Sequence, residues 1–541
     1  MQSWQAAMHC GACRGKERMP TVLEARETLL FVQPAKRISA LVIAKSDIVA
    51  DSHLQNQDVT KGIRDNLIDL YLRFIHDKPH SLFHPSLLRK RVREEALPMA
   101  VLYGVMALAA RFADDQETRH QTNSFFLAAK HLLKMNIDHV SLDNIHASIL
   151  VGNLCGTEGE SAGEAIFFGE ISPHNAVEEP ILKYMTGVAF RMAHILHLPE
   201  PDVTDDNITR EIKIRTWWSL YMIDQWSSAG LDLPRQMHNH HHKLPMPEID
   251  FWKLVPGERM ENRSQPRRGL WGYMVILARI FGHIQILHQK LAEEALDQHE
   301  AEATTIELAQ EFDHFLRELP ANLHFNTRNL TQHTELGLAQ AFVALHLGYH
   351  HYSTLLYFPY LDMKLAETPS RAIFVARCKY HATSFSDLLK ISHETPDCEA
   401  VYLIVAHMTV VSSSVLLHTL LLGSQNELLD ARTRLYFNFE ILLKLKGYWQ
   451  GVDLMMERLF TFQKVCMQSM DRTYTVDQWT VKFLLQHAIP IGGEINTPAS
   501  SDLAERGKFA SDALSMLRPA GMNAKDNTKL GSFHGSTDLV S

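Results

Sequence analysis

The stretch Glu211-Ile212-Lys213-Ile214-Arg215-Thr216-Trp217-Trp218-Ser219-Leu220-Tyr221-Met222-Ile223-Asp224 decides how the chain is read. Its apolar residues, with Ile208 before it, recur at helical rather than alternating spacing, so it is expected to be one helix lying between Asp202 and Ser228. Thr204, Asp205 and Asn207 are the capping candidates, and the helix should stop near Gly230 and Pro234. Glu211 and Arg215 stand four apart with the acid first, an order that supports pairing worth about 0.2–0.5 kcal/mol on an exposed face. Breaking the same pair inside a core would cost more. Trp217, Tyr221 and Asp224 follow at spacings of four and three, which puts two large aromatics and an acid on one face. The indole N–H and the phenol O–H each need a polar partner there. The face reads as a polar-bridged core seam, with an aromatic-lined effector pocket between helices as the alternative.

Outward from this helix the same period recurs. Leu102, Val105, Met106, Ala109 and Phe112 form one stripe, and Met185, Val188, Ala189, Met192, Ile195 and Leu196 form another. Further helices are expected at about 270–300, 303–318, 334–357, 369–391, 400–422, 427–449 and 452–470, punctuated by Pro, Gly and Asn. Strand signals are scarce, so the expected class is all-α, a multi-helix domain between disordered N- and C-terminal segments. The tail from about Thr497 carries Pro498, Gly507, Gly521, Gly531 and Gly535 without a sustained apolar face.

Composition limits the function classes. At 541 residues, of which 46% are hydrophobic and 21% charged, the chain can build a large core and is neither collagenous nor mostly disordered. The formal charge of −9 argues against a surface that binds nucleic acid everywhere, so any DNA contact must be local. Protonation of the 31 histidines would move that charge strongly near pH 6.5. The six cysteines, at 10, 13, 155, 378, 398 and 466, suit a reducing compartment. Ala400 to Asn426 lacks a formal charge and is long enough to cross a bilayer, yet it carries His407, Thr409, Ser412, Ser413, Ser414, His418 and Thr419. A buried helix is the better reading, and no membrane partner is expected.

Three motifs carry candidate chemistry. Gly159-Glu160-Ser161-Ala162-Gly163 spells a nucleophile elbow, but the preceding Cys155-Gly156-Thr157-Glu158 is not the apolar strand that would lift a serine over a sheet. No catalytic residue is assigned. The run His238-Asn239-His240-His241-His242 offers adjacent imidazoles on a loop, a poor zinc cage. Cys10 and Cys13 can grip one tetrahedral ion from a tight turn, but the next cysteine is Cys155, so a closed cysteine site is incomplete. His84, His197, His346 and His350 read as core histidines rather than ligands.

Cys10-Gly11-Ala12-Cys13-Arg14-Gly15-Lys16 resembles the opening of the fungal zinc binuclear-cluster motif, in which six cysteines share two zinc ions and a basic run contacts DNA. The resemblance implies metal ligation by Cys10 and Cys13 and DNA contact by Arg14, Lys16 and Arg18. Pro20 stands where the third cysteine of that pattern falls. A longer resemblance covers about residues 60–470. Tyr71-Leu72-Arg73-Phe74-Ile75, Pro79, Phe83-His84-Pro85 and Leu87-Leu88 are similar to the opening of the fungal-specific transcription factor regulatory domain, the middle homology region. Gly187-Val188-Ala189-Phe190-Arg191-Met192-Ala193 and Leu345-His346 to Leu361 resemble later helices of that family. Its most diagnostic block is matched by Glu211, Arg215, Trp217, Trp218, Tyr221, Asp224 and Pro234, ending in Leu244-Pro245-Met246-Pro247. Gln225 departs from the arginine usual there, and His238 to His242 replace an acid-rich loop.

The resemblance implies a nuclear fungal transcription regulator without catalytic activity, acting on a metabolic or secondary-metabolite gene cluster. Its partners would be DNA, directly or through another regulator, and a homo- or heterodimeric mate. Zinc is the one cofactor it suggests, with the cluster incomplete. The expected layout is a cluster remnant at 1–19, a linker at 20–60, an N-terminal half of the regulatory domain at 61–260, a C-terminal helical half at 261–480 and a tail at 495–541. The alternative is a helical interaction protein that lacks its own DNA reader and modulates an intact regulator by dimerisation.

Overall fold

The structure is a computed structural model that describes residues 60–158, 179–259, 267–468 and 474–492, apart from positions 79, 201, 203, 233 and 238–241. Cys10, Cys13, Arg14, Lys16, Arg18, Ser161 and the tail beyond 492 lie outside the described residues. Among the described residues there are eighteen α-helices and no strand, the one β pairing being an isolated bridge between His76 and His80. The described residues are all-α and cluster as one unit.

The helices run α1 (Lys61–Phe74), α2 (Pro85–Arg93), α3 (Met99–Ala110), α4 (Gln116–His120), α5 (Thr122–Met135) and α6 (Leu142–Glu158). Then come α7 (Glu179–Ile195), α8 (Asn207–Leu231), α9 (Glu248–Trp252), α10 (Leu270–Ala292), α11 (Gln298–Glu318) and α12 (Thr327–Glu335). The last six are α13 (Ala339–Tyr357), α14 (Pro369–Glu394), α15 (Ile404–Leu422), α16 (Gln425–Lys446), α17 (Val452–Gln468) and α18 (Gln478–Leu485).

Two helices are buried on every side. The apolar run Leu102 to Ala109 was expected to face the core along one stripe, but α1, α5 and α6 all pack on α3, and every residue from Ala100 to Ala110 is buried. Helix α15 is enclosed in the same way by α13, α14, α16 and α17. It and α10 are long and apolar enough to cross a membrane, yet 94% and 78% of their most apolar windows are buried inside the protein. Of the polar side chains of α15, Thr409, Ser414 and Thr419 bond carbonyls of their own helix, and others find partners in neighbouring elements, as a core requires. Ser412 donates to the Ala382 carbonyl at 2.9 Å, His407 Nε2–H donates to the Leu484 carbonyl at 3.0 Å, and Asn438 donates to Ser413 at 3.1 Å.

Helix α8 starts one residue away from the expected caps. Asp206, rather than Thr204, Asp205 or Asn207, accepts from the Thr209 N–H at 2.8 Å. The helix ends at Asp232, which takes the left-handed conformation at φ 54°. His197 also departs from its reading as a core histidine, because it sits exposed at φ 49° in the turn after α7.

Candidate functional site

The motif residues of α8 converge on a buried seam. Arg215 is wholly buried and uses every face of its guanidinium. Its Nε donates to Glu211 Oε1 at 3.1 Å, one Nη donates to Ser81 Oγ at 2.9 Å, and the other donates to the Met246 carbonyl at 2.7 Å. Asp77 Oδ1 lies 3.5 Å away, and the Phe251 ring lies under the cation at 4.4 Å. Glu211 also accepts from the Met246 N–H at 2.8 Å, so acid and base together hold both backbone polar groups of one residue, Met246, in the loop between α8 and α9. Burial pushes the Glu211 carboxyl above its usual range, against the pull of Arg215 and the Met246 N–H.

The loop between α1 and α2 is the other half of the seam. Burial opposes ionisation of Asp77, but His76, Arg215 and Ser81 outweigh it and hold its carboxyl well below the usual carboxylate range. His76 Nε2 accepts from the Phe83 N–H at 3.1 Å, which leaves Nδ1–H to donate to Asp77 at 3.1 Å. Asn153 donates to His80 Nδ1 at 2.7 Å, so His80 Nε2–H donates to the Tyr71 oxygen at 2.8 Å. Burial pushes His80 down to about 3. Asp77 adopts φ 63°, a strained value for a residue with a side chain, and its ties to His76, Ser81 and Arg215 fix the turn. Ser219 of α8 closes the loop, accepting from the Ser81 N–H at 2.9 Å and donating to the Ser81 carbonyl at 3.2 Å.

The second half of α8 holds the loop after it. Asp224 accepts from the Gln236 N–H at 3.0 Å and the Met237 N–H at 2.8 Å, and burial pushes its carboxyl up despite them. Trp218 donates to the Lys243 carbonyl at 2.8 Å, and its ring meets Tyr221 edge-on at 5.3 Å. Trp217 is buried between the rings of His194 at 5.1 Å and His242 at 5.4 Å. Burial pushes the Tyr221 phenol up to about 12. Pro234 lies exposed in the turn that follows α8. Gln225 is buried and accepts from Arg235 at 3.4 Å, while its carbonyl accepts from Gln285 of α10 at 3.1 Å.

Glu211, Arg215, Trp217, Trp218, Tyr221 and Asp224 are thus all buried and packed into one seam, as the core-seam reading of the face expects. Sequence reasoning missed Asp77, Ser81 and Glu248. Glu248 is buried within the electrostatic reach of Arg215 and accepts from the Leu270 N–H at 3.1 Å and the Trp271 N–H at 2.9 Å, so it caps α10 from another helix. The only advance signal was that a buried arginine needs more than one acceptor.

Nothing described fits a zinc cluster. Among the described residues no group of three or more His, Cys, Asp or Glu side chains is placed to hold a metal ion. Cys155, Cys378, Cys398 and Cys466 are buried and separate, and the Cys378 thiol, pushed up by burial, points to the Thr354 carbonyl at 3.7 Å.

Residues 68–319 match the family described as fungal specific transcription factor domain. The chain is 20% identical over 450 residues to an uncharacterized transcriptional regulatory protein of Schizosaccharomyces pombe, covering 72% of this chain and 51% of that protein. A second protein of the same description and organism is 21% identical over 325 residues, 53% of this chain and 31% of its own. A Zn(2)-C6 fungal-type transcription factor of Fusarium oxysporum f. sp. lycopersici is 22% identical over 472 residues, 77% of this chain and 47% of its own. The chain therefore spans between a third and a half of the length of these relatives. Their names, like the family's, indicate transcription regulators rather than enzymes.

Proposed function

Because residues 68–319 carry a fungal specific transcription factor domain, we propose that the chain is a nuclear fungal transcription regulator that controls a metabolic or secondary-metabolite gene cluster. The observation that carries the reading is the coincidence of that match with the buried Glu211–Arg215–Asp77 seam, which builds the family-like block into the helical core. Residues 61–260 and 261–480 serve as its two regulatory halves. DNA contact is assigned to Arg14, Lys16 and Arg18, beside a zinc-binding Cys10 and Cys13, as the named Zn(2)-C6 relatives suggest.

A second reading is favoured by Pro20, which occupies the position of a third cluster cysteine. In it the chain lacks its own reader and reaches DNA by dimerising with an intact regulator. Chromatin immunoprecipitation of the tagged full chain tests both. Discrete promoter peaks are expected, and their absence relative to an untagged strain contradicts regulation at DNA. Loss of the peaks in a Cys10→Ala, Cys13→Ala variant supports the chain's own reader. Peaks that survive it, and vanish when a co-purifying regulator is deleted, support the second reading.

A further inference from the structure

A cavity of about 130 Å³ opens beside the seam, between the loop before α2, α2 itself, α6 and α8. Its walls are mostly apolar, formed by Phe83, Leu87, Leu88, Leu97, Leu142 and Ile212. Charge enters through one pair, Arg91 and Asp143, joined by two hydrogen bonds of 3.0 and 2.8 Å and about 30% exposed. Thr209 also lines the space, as does His146, whose Nε2 is engaged with Thr216 Oγ1 at 2.9 Å. Burial keeps His146 uncharged by lowering it to about 4.

We propose that this cavity is a binding site for a small, uncharged, single-ring organic compound carrying one hydroxyl group. Size sets the ring: apolar cavities of about 150 Å³ in other proteins take up benzene. Charge excludes ions, because Arg91 and Asp143 already neutralise each other and a charged guest would be buried without a counter-ion. The hydroxyl follows from Asp143, whose oxygens each accept one bond from Arg91 and keep further lone pairs free for a donor. Such a guest would brace α2 and α6 against α8 at Ile212, beside Glu211 of the seam. The binding itself stands apart from the regulatory role proposed above, which only gives it a use.

Thermal unfolding of the purified full chain tests the site with p-cresol, p-xylene of nearly equal shape, and benzoate. At about ten times its dissociation constant p-cresol should raise Tm by roughly 2 °C, more than p-xylene does, with no rise from benzoate. Ile212→Phe and, on the half-buried wall, Leu87→Phe fill the space and should abolish the p-cresol shift. Xenon-129 NMR of each folded variant should show the matching loss of a bound signal. Equal p-cresol shifts in the wild type and both filled variants, no shift with either ring compound, or a benzoate shift as large as that of p-cresol overturns the proposal. Because the readout is binding in vitro, its failure leaves promoter occupancy untouched and is distinguishable from failure of the regulatory reading.

Discussion

Arg215 has no contact with solvent, so its charge is tolerable only because Glu211, Asp77, Ser81 and the Met246 carbonyl surround it. Removing it strands two buried acids. Arg215→Met should therefore cost about 3–5 kcal/mol in urea unfolding, the magnitude of breaking a buried pair. Glu211→Gln should cost clearly less, since the amide oxygen still accepts from the Met246 N–H and the acid it replaces is already pushed toward its neutral form. Equal losses in the two variants would contradict the clamp. The spacing of Glu211 and Arg215 made this pair legible in the sequence, whereas Asp77 and Ser81, 138 and 134 residues from their α8 partners, left no such mark.

At the scale of elements, α9 and α10 meet at a glycine. Gly269 caps α10, and a Cβ there would stand 2.5 Å from Glu248 Oε2 and 2.6 Å from the Pro247 Cα. Gly269→Ala is expected to push Glu248 off the Leu270 and Trp271 N–H groups and cost about 1–3 kcal/mol. Gly257→Ala, in open space but at φ 83°, is the comparison that isolates backbone strain from the clash. Chemical denaturation of both variants decides it: a smaller loss in Gly269→Ala than in Gly257→Ala would refute the capping role. The positions of α10, α11 and α13 to α17 follow the helical period closely, because each is long enough to repeat it, whereas α12, nine residues long, carries no such signal. Helix α18, eight residues long, had no such signal. It is held by Arg458, which donates to the Lys482, Phe483 and Ile489 carbonyls, and by His407.

Across the whole molecule the histidines set the response to acid. Burial lowers His80 to about 3 and His146, His288, His346 and His487 to about 4, below the 6.5 of a free imidazole. Below pH 6.5 the unfolded chain binds protons that the folded chain refuses, so stability is complete above that value and falls as pH drops toward 4. Buried Glu211, Glu248 and Asp224 act the other way, since their raised values let the folded chain bind protons first. The imidazoles are more numerous and titrate earlier. Tm should decline steadily between pH 7 and pH 5, and a scanning-calorimetry profile that stays flat or rises over that range would contradict the balance.

From the order of residues alone follow the all-α class, most helix positions, the pairing of Glu211 with Arg215 and the burial of the uncharged helix α15. These depend on neighbours three or four residues apart, and the helix brings such neighbours together whatever surrounds it. Packing between elements settles that α3 is buried on all sides, that Asp77 joins the Glu211–Arg215 pair, and that a cavity opens at Ile212. Those outcomes depend on which distant segments share a cavity or a charge, and close packing settles that between elements rather than within any one of them.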